Sequence, residues 1–84
     1  MLSDALTVRL VALLADVTGA PAASLGPASS PGNTPGWDSL ASLGFIAAVE
    51  EDFGVSILTA EAMQVKGLSD MVGLLERKGV KAAG

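Results

Sequence analysis

The residues most capable of chemistry in this sequence lie in the segment 36–40, Gly-Trp-Asp-Ser-Leu, and Ser39 carries the nucleophilic hydroxyl. The segment lies where a long stretch without periodicity meets apolar residues at helical spacing, so Ser39 is predicted in the first turn of a helix. Free N–H groups and the positive dipole end of a helix N-terminus favour a phosphate, and a phosphate ester on Ser39 would be stabilised there. The alternative is that Asp38 and Ser39 are only capping residues.

Composition excludes several classes of function. The 84 residues contain no Cys and no His, which excludes disulfides, the usual zinc sites and Ser–His or Cys–His nucleophilic pairs. Asp38 is adjacent to Ser39 in sequence and is not placed to activate it, so we expect no enzymatic activity. Five basic residues among nine acidic ones, for a net charge of −4, make no nucleic-acid-binding patch and favour basic protein partners.

Apolar spacing and capping residues predict four helices. The first covers 4–18, with Ser3 and Asp4 at its start. A loop follows over 19–36; it contains four prolines, and Leu25 is expected to pin it to the core. No apolar run approaches the roughly 20 residues that a membrane span needs.

The second helix is predicted over 39–53, between Asp38 as its cap and Gly54 as its stop. Thr59 is predicted to cap a short third helix. The fourth helix begins at Gly67 or Ser69 and ends before Gly79. The predicted fold is therefore all-α, with three longer helices, a short third helix and no sheet.

The predicted core joins the three longer helices, and Met63 and Met71 are expected to pack between helices as well. The whole chain, 1–84, is predicted to be one domain with its core over about 3–79 and a flexible tail over 80–84. The core residues predicted from spacing are Leu6, Leu10, Leu13, Leu43, Ile46, Val49, Phe53, Val72 and Leu75.

Glu50, Glu51 and Asp52 cluster in the last turn of the second helix. Carboxylates at a helix C-terminus oppose the macrodipole, each at a cost of about 0.3–1 kcal/mol. A cluster placed against the local electrostatics indicates use by a partner protein. The alternative is a solvated face that tolerates the cost.

The chain resembles the acyl carrier protein family from its first helix through Leu75. The family's G-x-D-S-L signature is matched by the segment 36–40, and its E-E-x-F-G ending by Glu50, Glu51, Phe53 and Gly54. D-S-L alone is a weak motif, but its combination with E-E-D-F-G, in a chain of this length and charge, is specific. The resemblance implies the same four-helix bundle, with the long loop between the first two helices.

The resemblance implies that Ser39, flanked by Asp38 and Leu40, receives 4′-phosphopantetheine from coenzyme A through a separate phosphopantetheinyl transferase that uses Mg²⁺. The thiol of the arm then carries an acyl group as a thioester. A ligase or transferase loads it, and downstream enzymes of fatty-acid, polyketide or another biosynthesis unload it. A discrete, monomeric, cytoplasmic carrier is expected. The residues predicted to contact partners are Trp37, Leu40, Glu50, Glu51 and Asp52.

The sequence departs from the common fatty-acid carrier pattern, because Ala41 and Gly44 stand where acidic residues often follow D-S-L. These departures favour a dedicated pathway carrier or one that serves an adenylating ligase. A peptidyl or aminoacyl carrier remains an alternative, and so does an unmodified helical interaction module. Gly44 costs about 1 kcal/mol against alanine in mid-helix; it permits close approach of a partner or the loop, or it is a tolerated surface glycine.

Overall fold

In a computed structural model, which describes residues 4–80, the chain forms four α-helices and no strand within that range. The first helix packs against the second and the fourth, and no described helix is long and apolar enough to cross a membrane. The predicted all-α bundle is confirmed. Ser3, the side chain of Asp4 and the tail from 81 onward lie outside what the structure describes. The helices are α1, Asp4–Thr18; α2, Ser39–Phe53; α3, Thr59–Gln64; and α4, Leu68–Arg77.

The third helix starts differently from the prediction, whereas the fourth starts beside Gly67, one of its two predicted starts. Leu58, not Thr59, is the N-cap residue of α3, and the Glu61 carboxylate supplies the cap by accepting the Leu58 N–H at 2.9 Å. Gly67 is the N-cap of α4, where the Asp70 carboxylate accepts the Lys66 N–H at 2.8 Å. In both cases an acid within the first turn binds a backbone donor that precedes the helix, as in a capping box.

The loop between α1 and α2 is held by hydrogen bonds rather than left open. It contains one short 3₁₀ turn, Ala22–Ser24, which the sequence did not predict. Leu25 packs partly buried against the core, as expected. The buried Ser29 accepts the Leu68 N–H through its backbone oxygen at 2.9 Å and the Gly26 N–H through its hydroxyl at 2.9 Å. The loop is thus fastened to the start of α4.

The inner face of α2 differs from the predicted one. Leu43 is 69% exposed, whereas Phe45, two residues and about half a turn further along, is 1% exposed. Helix α2 carries apolar residues on all its sides, so periodicity alone could not choose the buried face. Leu13, Ile46 and Phe53 are only partly buried. The buried apolar residues are Leu6, Leu10, Leu14, Trp37, Ala41, Phe45, Val49, Leu68, Met71, Val72, Leu74 and Leu75.

Two further expectations about packing are corrected. Met71 is fully buried, but Met63 is 70% exposed, because α3 is a short helix that turns Ala62 rather than Met63 toward α2. Val80, predicted to begin the flexible tail, packs against the core and donates its N–H to Leu75 O at 2.9 Å.

Glu61 ties α3 to the end of α4, since its carboxylate lies 2.8 Å from Lys78 Nζ and also accepts the Leu58 N–H. The hydrogen bond from Lys78, and after it the one from Leu58, lowers the pKa of Glu61. A carboxyl whose pKa is lower in the folded state stabilises the fold above the pKa of the unfolded state. That stabilisation disappears as the pH falls through the lowered pKa.

We therefore expect Glu61→Gln to unfold at a lower temperature than the native chain at neutral pH, with the gap closing in acid. Thermal unfolding across a pH series measures this. Glu76→Gln is the matched control, because Glu76 is an exposed glutamate of α4 with no side-chain hydrogen bond within residues 4–80. A gap between native and Glu61→Gln that persists unchanged at low pH would contradict the assignment.

Candidate functional site

Ser39 is the first residue of α2 and is exposed to solvent. Asp38 is the N-cap: its Oδ1 accepts the Ala41 N–H at 2.9 Å, and its backbone oxygen accepts the Ser42 N–H at 2.8 Å. Because Asp38 performs the capping, the Ser39 hydroxyl has no capping role, and it has no hydrogen-bond partner among the described residues. The Ser39 hydroxyl is thus available for modification.

The backbone around Ser39 suits a negatively charged group. The first N–H groups of a helix have no partner within the helix. Asp38 takes the N–H of Ala41, whereas those of Ser39 and Leu40 meet no acceptor within residues 4–80. A phosphate esterified to Ser39 would lie beside these donors and the positive end of the α2 dipole.

Gly36 fixes the path of the chain into α2. Its φ of 88° lies in the left-handed region, and a Cβ built on it would overlap the backbone oxygen of Thr18. Only glycine allows both the backbone conformation and the close approach of the loop to the end of α1. The glycine of the G-x-D-S-L signature is therefore explained by local geometry.

Trp37 is a core residue, and its expected role as a partner contact is corrected. The ring is 5% exposed and packs edge-on against Phe45, with centroids 5.7 Å apart at 78°. Its indole N–H donates to Ser42 Oγ at 2.8 Å. Burial withdraws the ring from any partner. It also fixes the backbone of Trp37 immediately before Asp38. Leu40, by contrast, is 78% exposed and stays available for contact.

Ser42 is a site residue that the sequence did not single out. A buried tryptophan needs an acceptor for its indole N–H, and a hydroxyl five residues further on, on α2, provides one. The available signal was the pairing of a Trp that precedes the helix with a Ser in its first turn.

The three acidic residues at the end of α2 do not act as one free cluster. Glu50 Oε2 accepts the Ile57 N–H at 2.8 Å, which holds the α2–α3 connection. Asp52 pairs with Arg9, whose guanidinium lies 4.4 Å from the centroid of the Phe53 ring. Two of the carboxylates thus have internal partners, which corrects the argument that all three are set against the local electrostatics. Glu51 alone has no such partner within the described range.

A protein-family comparison bears directly on this site. The family model described as the phosphopantetheine attachment site matches residues 8–75, which include every helix from the second turn of α1 to near the end of α4. The chain belongs to this family. No curated protein matches the chain. The resemblance to acyl carrier proteins drawn from the signature residues is thereby confirmed.

As a phosphopantetheine-binding carrier domain, the protein carries a covalent 4′-phosphopantetheine on a serine and is not itself an enzyme. Carrier domains interact with a phosphopantetheinyl transferase and with biosynthetic enzymes. The residues present fit the cofactor, because an exposed serine with a free hydroxyl stands at a helix N-terminus beside an open groove. Within residues 4–80 no group of three metal-ligating side chains is present.

Proposed function

We propose that this carrier domain holds acyl groups as thioesters on a 4′-phosphopantetheine arm attached to Ser39 and presents them to partner enzymes. The observation that carries the assignment is the exposed Ser39 hydroxyl at the start of α2, relieved of capping by Asp38. When bound, the cofactor supplies a terminal thiol, which the chain itself lacks because it has no cysteine.

Other serines suit the role less well. Ser29 is buried, Ser42 accepts the indole N–H of Trp37, and the Ser24 hydroxyl donates to Pro21 O at 2.7 Å. Ser69 is exposed and lies in the first turn of α4, but no D-S-L signature surrounds it. Both exposure and sequence context therefore favour Ser39.

An acyl cargo is favoured over an aminoacyl or peptidyl one by the charge of the chain. The net charge is −4, and the E-E-D-F-G segment at the end of α2 resembles that of acyl carriers. Ala41 and Gly44 leave the first turns of α2 without acidic side chains, which favours a dedicated pathway carrier. Loading assays with an acyl-activating and an aminoacyl-activating ligase separate the two cargo classes, and exclusive aminoacyl loading would contradict the acyl assignment.

Replacing Ser39 by alanine is expected to abolish attachment of the arm without disturbing the fold. The native chain should gain the mass of one phosphopantetheine on incubation with coenzyme A, Mg²⁺ and a promiscuous transferase. Because Ser39 is exposed and not the cap, its loss should change the free energy of unfolding by no more than about 0.5 kcal/mol.

The matched control is Ser69→Ala, which removes another exposed serine from the first turn of a helix. It should gain the arm at the native rate, as intact-mass measurements will show. Attachment to a folded Ser39→Ala chain would refute Ser39 as the site.

We further propose that Glu51 and Leu40 contact partner enzymes. Both are exposed on α2, and Glu51 is the acid of its cluster without an internal partner among the described residues. Charge reversal by Glu51→Lys is expected to raise the KM of the transferase or a loading ligase about two- to fivefold, corresponding to about 0.4–1 kcal/mol. Because salt screens such contacts over about 8 Å at physiological ionic strength, the difference should shrink as salt is added.

Glu76→Lys provides the control for Glu51→Lys, since Glu76 is likewise an exposed glutamate near the end of a helix. It carries the same change in net charge, so it should leave KM near the native value if the effect is local. Equal KM values for both variants across a salt series would show that docking depends on overall charge or on apolar contacts near Leu40.

A further inference from the structure

An open groove of about 590 Å³ lies between the end of α1 and the first turns of α2. Asp38 and Leu40, the residues on either side of Ser39, both line it, and Ser39 itself is not among the lining residues. The rest of the lining is largely apolar and includes Val17 of α1 and Leu43 and Gly44 of α2. The groove therefore starts immediately beside the proposed attachment point.

The absence of a long side chain at Gly44 keeps this groove open. A Cβ on Gly44 would lie 3.5 Å from Val17 Cγ1, an ordinary van der Waals contact, so alanine would fit and a longer side chain would extend into the groove. The glycine is thus not required by the helix, where alanine would be more favourable. What it provides is space beside Ser39.

The groove has a counterpart one helical turn further along both helices. Leu13 lies four residues before Val17 on α1, and Ala48 lies four residues after Gly44 on α2. Together with Glu51 and Asp52 they line a second space of about 370 Å³. The next turn is closed by the ion pair between Arg9 and Asp52. An elongated ligand that starts at Ser39 therefore meets small and apolar residues first along the α1–α2 seam, and acidic side chains at the far end of the second space.

A much smaller space lies on the other side of α2. Between α2 and α3 the structure has a space of only about 30 Å³, bordered by Trp37, Phe45 and Ala62. A space of this size holds about one water molecule. The indole of Trp37, held by Ser42, fills this part of the bundle.

We propose that the groove between α1 and α2 is the resting site of the pantetheine arm, an inference that rests on the proposed attachment at Ser39. The dimethyl group and methylene carbons of pantetheine would contact Val17, Leu40 and Leu43, while its amides stay in water because the groove is open. Tethering gives the arm an effective concentration of the order of millimolar, so a weak contact suffices to populate the site.

Isotope-filtered NMR of the protein after loading from coenzyme A by a promiscuous transferase tests this. Nuclear Overhauser effects are expected between the dimethyl protons of the arm and the methyl groups of Val17 and Leu40. Gly44→Ala should retain them because the groove stays open, whereas Gly44→Leu, with its side chain in the groove, should lose them while intact mass still shows one arm. Ala12→Leu, at an exposed position of α1, controls for an added leucine elsewhere.

Failure of the groove and failure of the attachment site give different results. A fully loaded native chain with no such effects to Val17, or with effects to Ile46 and Ala62 on the α3 side instead, overturns the groove. Effects that survive unchanged in Gly44→Leu overturn it too. If Gly44→Leu does not fold, the native spectrum decides by itself. Absence of any mass gain, or a gain by Ser39→Ala, overturns the attachment site and the groove proposal with it.

Discussion

Replacing Phe45 by alanine is expected to lower the free energy of unfolding by about 3–5 kcal/mol, the usual cost of removing a buried phenylalanine. The ring is 1% exposed and forms an edge-on pair with Trp37. Its loss would leave a cavity beside the residue that leads into the attachment site. Since a domain of this kind is stable by about 5–15 kcal/mol, the change removes a large part of the total.

Urea unfolding of Phe45→Ala and of Leu43→Ala measures this effect against a matched control. Leu43 is a large apolar residue of the same helix, but it is 69% exposed, so its truncation should cost no more than about 0.5 kcal/mol. If the two variants lost equal stability, or Leu43→Ala lost more, the inner face of α2 would have to be assigned differently.

Gly36→Ala is expected to lower the free energy of unfolding by about 2–5 kcal/mol and to slow attachment of the arm. The left-handed φ of 88° costs a residue with a side chain about 1–2 kcal/mol. The overlap of the new methyl group with Thr18 O adds an overpacking cost of about 1–3 kcal/mol, because the loop must move away from the end of α1. Such a movement shifts the start of α2, where Ser39 lies.

Gly19→Ala separates these two costs. Gly19 also has a positive φ, 78°, but a Cβ built on it meets no atom within 4 Å. It should therefore cost about 1 kcal/mol and leave the transferase rate unchanged. Thermal unfolding and the rate of mass gain are measured for both variants. Equal unfolding temperatures and equal rates would show that the close approach of Gly36 to Thr18 has no effect on stability or attachment.

The positions of the helices were largely predictable because their ends depend on local signals. Helix α2 begins after Asp38 and ends before Gly54, as predicted, since a side-chain cap and a left-handed glycine act within one turn. The prediction that Thr59 caps α3 also used a local signal, because threonine is a good cap, but it was wrong. Glu61 caps α3 from inside the helix instead.

Contacts between distant residues were not predictable in the same way. Arg9 and Asp52 are 43 positions apart, and nothing in the sequence indicates that they pair. The acidic cluster was therefore interpreted as three free carboxylates, although Glu50 also accepts a backbone N–H from the connection between α2 and α3. Trp37 was predicted to contact partner proteins, whereas the acceptor on Ser42 allows its burial.

The attachment of the arm to Ser39 is tested most directly by locating it on the loaded native chain with tandem mass spectrometry. Cleavage after Arg9 and Lys66 leaves one peptide, 10–66, that contains Ser39 together with Ser24, Ser29, Ser30, Ser42 and Ser56. Fragment ions must therefore distinguish these serines. N-terminal fragments that end at Asp38 are expected to lack the mass of phosphopantetheine, and those that extend to Leu40 are expected to carry it. Attachment at any other serine, with Ser39 unmodified, would refute Ser39 as the attachment site.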